Sequence, residues 1–173
     1  MIRKALPNEL NAVDEIYNEI FLYEKEHGAY TVWKQGVYPT RQTSEKSLSE
    51  GALYVLEQNG EICASMIANQ KQPQEYYNVK WKYNSDSDEI FIIHLLCVKP
   101  SKSGFGFGKQ LVQFAITQAK NLNCKTVRLD TGSQNKPAVA LYTKLGFELA
   151  GTSTMSVGGV IAHKNHLFFE IKV

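Results

Sequence analysis

Glu89-Ile-Phe-Ile-Ile-His94-Leu-Leu-Cys-Val98, followed by Lys-Pro100-Ser-Lys-Ser103-Gly-Phe-Gly106-Phe-Gly108-Lys109, is the stretch on which the fold turns. Its first half is an apolar run broken by His94, the pattern of a central strand covered on both faces. Its second half alternates glycines and leads into Leu111, Val112, Ala115, Ile116 and Ala119 at helical spacing. A buried strand, a glycine turn and an amphipathic helix therefore follow one another directly. Glycine lets the backbone approach a ligand closely, and the unpaired N–H groups of a helix start, with the helix dipole behind them, suit an anion. The expected ligand contains a pyrophosphate.

Two common phosphate motifs do not fit this turn. A Walker-type loop requires Gly-Lys-Ser/Thr, but Gln110 follows Gly108-Lys109, and the first required glycine falls on Ser103. A dinucleotide fingerprint counted from Gly104 meets Lys109 at its third glycine, and one counted from Gly106 meets Leu111.

Outward from the turn, the chain alternates strands and helices. Met1 to Leu6 reads as a strand, and Pro7 opens a helix with Leu10, Val13, Ile16, Tyr17, Ile20 and Phe21 on one face, ended by Gly28. Ser44 to Glu50 is expected as a short second helix. Asn59-Gly60 between Leu53–Glu57 and Ile62–Ala68 predicts a tight hairpin. The polar, aromatic-rich segment from Asn69 to Asp88 reads either as an extended hairpin arm or as a loop near the site. After the decisive stretch come a strand at Thr126 to Thr131, a helix at Lys136 to Leu145, a strand from Gly146-Phe147 and a last strand at Lys164 to Val173. The order β, α, α, β, β, β, α, β, α, β, β predicts an α/β (α+β) domain spanning residues 1–173, with helices on both faces of a mixed sheet. Two strand–helix–strand units in the second half imply parallel pairing there.

Composition narrows the function classes. With 173 residues, 43% hydrophobic and 21% charged, the chain can bury one core without disulfides or metals. A formal charge of +2 is too small for a nucleic-acid partner. The apolar run from Ile90 to Val98 is far too short to span a bilayer as a helix. No secretory pattern follows Met1, and Cys63, Cys97 and Cys124 are widely spaced, so the expected setting is the cytoplasm with reduced, buried thiols.

A second motif, Asn135-Lys-Pro-Ala138-Val-Ala-Leu-Tyr142-Thr-Lys-Leu-Gly146-Phe147, stands on the penultimate helix. Asn135 can cap that helix, and Tyr142, seven residues on, returns to nearly the same face because two helical turns drift only about 20°. Together with Val98-x-Pro100 and the glycine turn, this motif resembles the signatures of the GNAT N-acetyltransferase family. The resemblance implies a mixed, mostly antiparallel sheet of six to seven strands with a splayed central parallel pair, and acetyl-CoA as donor without a metal. It also implies residue roles. Leu96, Cys97 and Val98 would pair with the pantetheine arm, and the Leu96 N–H would steady the developing oxyanion. Ser103, Gly104, Phe105, Gly106, Phe107, Gly108 and Lys109 would hold the pyrophosphate, with Asn135 and Tyr142 also against the donor. Tyr142 would protonate the departing thiolate. Ser103 departs from the family's usual Arg or Gln and removes a long polar side chain from the lip of the turn.

His94 has two readings: a base that takes the proton of an ammonium substrate, as a similarly placed histidine in arylalkylamine acetyltransferases implies, or a buried neutral ring held by hydrogen bonds. Strand alternation sets it on one face with Leu96 and Val98. Trp33, Tyr38, Tyr76, Tyr77, Trp81 and Tyr83 suggest a pocket for a small amine or amino-acid-like acceptor; core packing or a homodimer contact would also account for them. His163 and His166 lack a neighbouring carboxylate or cysteine in the sequence and are expected to be exposed. The rival functions are an acyl-CoA-binding sensor or interaction module without turnover, and a protein or peptide N-terminal acetylase.

Overall fold

The computed structural model describes all 173 residues. Its strands are β1 (Ile2–Lys4), β2 (Leu53–Gln58), β3 (Glu61–Asn69), β4 (Ile90–Val98), β5 (Thr126–Gly132), β6 (Glu148–Val157) and β7 (Ile161–Lys172). They form one seven-stranded sheet in the order β1-β2-β3-β4-β5-β7-β6. The helices are α1 (Leu10–His27), α2 (Arg41–Ser49), α3 (Phe107–Asn121) and α4 (Lys136–Lys144). Three of the boundaries have visible local causes. Gly28 stops α1 at φ 93, its N–H bonded to the Glu24 carbonyl at 2.9 Å. Asn59-Gly60 takes up positive φ at both turn positions and closes the β2–β3 hairpin. Helix α2 begins earlier than Ser44 because Thr40 starts it: the Thr40 N–H donates to the Thr43 hydroxyl at 3.0 Å, and the Thr43 N–H to the Thr40 carbonyl at 2.9 Å.

Two apolar cores join the sheet to α3 and α1. One unites α3 with β4, β5 and β7 and includes Phe91, Leu111, Val112, Leu129 and Phe169. The other packs α1 through Val13, Ile16 and Ile20 against Leu53, Val55, Leu95 and Cys97. Cys63, Cys97 and Cys124 are all buried thiols.

Only β4 and β5 are parallel neighbours. The expected second parallel pair does not form, because β6 turns back into β7 and β7 lies antiparallel between β5 and β6. The parallel register runs from Ile90↔Thr126 to Ile93↔Leu129 and stops there. Beyond that point each strand keeps its outer partner and loses its inner one, so the sheet opens into a V.

A bulge lies at the same point. Ile67 faces Leu95 while Ala68 faces Ile93, which leaves His94 as the extra residue of β4. The strand changes parity across it. Phe91 and Ile93 share their cluster with Leu96 and Val98, whereas Leu95 and Cys97 face α1.

The segment from Asn69 to Asp88 is a loop with short 3-10 turns at Gln74–Asn78, against β6, and at Ser87–Glu89. An ion pair from the sheet pins it. Arg128 and Glu170 are cross-strand partners with side chains 4% and 0% exposed, and Arg128 Nε stands 3.5 Å from Glu170 Oε2. Arg128 donates to Gln72 Oε1 at 2.9 Å and to the Tyr83 carbonyl at 3.0 Å. Glu170 accepts the N–H groups of Lys82 and Tyr83. The Arg128 guanidinium also lies 4.2 Å from the centre of the Trp81 ring. Breaking a buried pair leaves a bare charge, so Arg128→Met should lower the unfolding free energy by about 3–5 kcal/mol in urea titration. A loss below about 1 kcal/mol would show that the loop is held by other contacts.

Candidate active site

The V between β4 and β5 is the mouth of a cleft of about 740 Å³. Its wide end is formed by the glycine turn. Gly104 and Gly106 have φ of 85 and 76, which other residues adopt only with strain, and Gly106 is the N-cap of α3. The first bond across this helix start runs from the Gln110 N–H to the Gly106 carbonyl at 3.1 Å. The N–H groups of Phe107, Gly108 and Lys109 therefore have no partner within the helix. A Cβ on Gly108 would stand 3.2 Å from Leu141 and 3.8 Å from Leu96, so the missing side chain lets α3 sit close against β4 and α4. Lys109 is exposed and free of ion pairs, while Lys99 and Lys102 both reach Glu61, at 3.0 and 2.6 Å. These donors and cations fit a phosphate-bearing donor at this end.

Leu96, Cys97 and Val98 line the cleft along the unpaired edge of β4, and Ser103, Gly104, Gly106, Phe107, Gly108 and Lys109 line its wide end. Phe105 does not. Its ring is 66% exposed and stacks on Phe107 at 5.8 Å between centres.

Helix α4 forms the facing wall. Asn135 caps it, accepting the Ala138 N–H at 3.2 Å, and Asn135 and Tyr142 both line the cleft as their spacing predicts. The Tyr142 ring is buried, fixed between Phe147 and Phe169 at 5.9 and 6.1 Å. Burial pushes its phenol well above the ordinary tyrosine range, and the charge of Asp130 adds to the rise. The hydroxyl is thus held protonated.

His94 and Asp130 are the first residues beyond the last paired positions, Ile93 and Leu129, and so stand together at the apex. His94 Nε2 lies 2.8 Å from Asn69 Oδ1, an oxygen that also accepts the Lys71 N–H at 2.8 Å. Because that oxygen can only accept, the His94 proton is on Nε2, and Nδ1 carries a free lone pair. Burial lowers the pKa of His94 below 6.5, with Asp130 opposing the shift.

Sequence reasoning missed the apex on the β5 side. Asp130 Oδ1 accepts the Tyr76 hydroxyl at 2.7 Å, and Oδ2 lies 3.2 Å from His166 Nε2. His166 is buried, contrary to its expected exposure, because it is the diagonal neighbour of Asp130 across β5 and β7. Its Nδ1 lies 2.7 Å from His163 Nδ1. One placement of protons satisfies every contact with both rings neutral: His163 Nδ1–H donates to His166, and His166 Nε2–H donates to Asp130. Burial lowers the pKa of His163, and a positive charge on His166 would lower it further. The missing carboxylate beside these histidines comes from another strand, which local spacing cannot show. A charged residue inside the expected strand from Thr126 to Thr131 was the available signal.

The expected aromatic pocket is largely corrected. Of the six residues, Trp33 alone lines the cleft, joined there by Tyr23 and Tyr30. Tyr76 is fully buried and reaches the site through its hydroxyl, Trp81 and Tyr83 anchor the loop, and Tyr77 is exposed. Tyr38 packs edge-on to Trp33 at 6.5 Å.

Residues 10–147 match the Acetyltransferase (GNAT) family. A 5-NmdU N-acetyltransferase of Pseudomonas phage PaMx11 is 24% identical over 88% of this chain and 90% of its own length. An uncharacterised N-acetyltransferase of Methanocaldococcus jannaschii is 38% identical, but over 39% of this chain and 30% of its own length. A GNAT acetyltransferase of Streptococcus agalactiae superposes with a TM-score of 0.83 at 19% identity, covering 100% of this chain and 95% of that one. A putative acetyltransferase of Salmonella typhimurium, solved with acetyl-CoA, superposes at 0.69 with 18% identity, covering 99% of this chain and 92% of its own. The mixed sheet with one parallel pair is the fold of these neighbours. The chain belongs to the GNAT family of acetyltransferases.

Proposed function

We propose that this chain moves the acetyl group of acetyl-CoA to a primary amine of a small-molecule or amino-acid-like acceptor, by direct attack in a ternary complex. The observation that carries the reading is the single cleft in which a phosphate-suited helix start, an unpaired strand edge, a buried protonated Tyr142 and a neutral His94 follow one another. The donor's pyrophosphate is assigned to the backbone of Ser103 to Gly108 and to Lys109. The pantetheine arm is assigned to the free edge of Leu96, Cys97 and Val98, where it replaces the missing strand partner.

In this reading His94 Nδ1 takes one proton from the acceptor's ammonium, and the freed amine attacks the thioester carbonyl. The Leu96 N–H faces the oxygen on which charge develops. As the C–S bond breaks, Tyr142 gives its proton to the sulfur, and the second proton lost by the nitrogen restores the phenol. The balance is one ammonium consumed, one thiol and one proton released.

Acetyl-CoA offered with a panel of primary amines should give free thiol and an acetylated product by mass; tight CoA binding with no acetylated amine would favour a sensor instead. Tyr142→Phe should cut kcat by about 10²–10⁴-fold with little change in the KM for acetyl-CoA. Equal turnover across the pH range would remove Tyr142 from the chemistry. Because burial depresses the pKa of His94, its base form is fully present above 6.5 and is lost as the pH falls through the lower folded-state value. The kcat/KM profile should therefore have an acid limb centred below 6.5, and His94→Gln should abolish that limb. A limb that persists unaltered would exclude His94 as the base.

A further inference from the structure

The charges of the cleft are sorted by position. Lys99, Lys102 and Lys109 line its wide end, and Asp130 is the only carboxylate anywhere along it. Asp130 stands at the apex beside His94, and Val98 lies about 13 Å farther along β4 at about 3.3 Å per residue. The donor's negative phosphates and a negative apex thus lie at opposite ends of one cavity.

Asp130 is built into this position. Its side chain is 11% exposed, and its two oxygens accept the Tyr76 hydroxyl at 2.7 Å and face His166 Nε2 at 3.2 Å. Tyr76 is an uncharged donor, His166 is the only neighbour at hydrogen-bond distance that could carry a charge, and no lysine or arginine pairs with the carboxylate. A carboxylate has about four acceptor positions, so two remain free. An enclosed carboxylate with no lysine or arginine beside it gains from a cation that joins it.

The reacting nitrogen is poorly placed to be that cation. A carboxylate against an ammonium holds its proton on, and so opposes the attack. We propose that Asp130 binds a second, non-reacting cationic nitrogen of the acceptor, so that the preferred substrates are short-chain diamines and related molecules with two amino groups. This rests on the acetyl-transfer reading above. Trp33 and Tyr30, from the segment between α1 and α2, supply apolar wall for the linking carbons. That segment is itself held by Glu24, which accepts the N–H groups of Tyr30 and Thr31 at 2.9 and 2.6 Å.

The test compares 1,4-diaminobutane with butylamine, which offer the same reacting amine with and without the second charge. The wild-type chain should favour the diamine by at least tenfold in kcat/KM, mainly through KM. In Asp130→Asn, which keeps the shape but exchanges one accepting oxygen for an uncharged NH2 donor, the preference should fall to near one. A wild-type chain without preference, or an Asp130→Asn variant that loses both substrates in equal proportion, would overturn the assignment. If neither amine is acetylated, calorimetry of diaminobutane against the CoA-loaded chain still decides it. Binding that weakens at least tenfold in Asp130→Asn supports the anchor while sinking the catalytic reading, and equal or absent binding sinks both.

Discussion

The structure depends on the parting of its one parallel strand pair. Hydrogen bonding between β4 and β5 ends at Ile93↔Leu129, although both strands continue, β4 to Val98 and β5 to Gly132. Buried backbone N–H and C=O groups without partners are expensive, and few folded chains tolerate them. The inner edges beyond Ile93 and Leu129 are therefore an unmet demand in the middle of the sheet. The fold answers it by leaving a cleft there, open to water or to a ligand with its own amide groups.

The rest of the architecture keeps that opening from closing. On one side β3 holds β4, and the bulge at His94 turns Leu96 and Val98 towards the α3 core while the partner strand stays in place. On the other side β7 holds β5 from Thr126↔Lys172 to Gly132↔His166, well past the point where β4 has left it. Helix α3 rests against the end of β4 through Gly108, so its free N–H groups lie where the strand stops. The insertion of β7 does two things at once. It braces the open edge of β5, and it carries His166 to Asp130.

Features set by local chain chemistry were legible in the sequence. The buried strand, the Asn59-Gly60 hairpin, the Asn135 cap and the glycine turn each depend on residues within a few positions of one another, and all appear as read. What could not be read were contacts made across strands. Nothing near His166 in sequence announces Asp130, and nothing in Arg128 or Glu170 alone announces that they meet and bind the loop above them. The aromatics misled for the same reason. Tyr76, Trp81 and Tyr83 look like pocket residues by type, but the Arg128–Glu170 pair draws their loop onto the sheet and spends them as anchors. Cross-strand order also decided the parallel count, since the sequence shows two crossovers but not which strand fills the gap between them.

One buried charge then links the site's parts. Asp130 raises the pKa of the Tyr142 phenol and works against the loss of basicity that burial imposes on His94. Those effects run in the directions the proposed roles require, because an acid must keep its proton until the sulfur departs, and a base must not be so weakened that it cannot take one. A neutral residue at position 130 would leave burial to act alone. The phenol would still be held protonated by burial, but His94 would become a poorer base. In the proposed mechanism a carboxylate at the apex serves the chemistry by keeping His94 basic. Its donors, Tyr76 and His166, matter as well, since they fix the carboxylate in place.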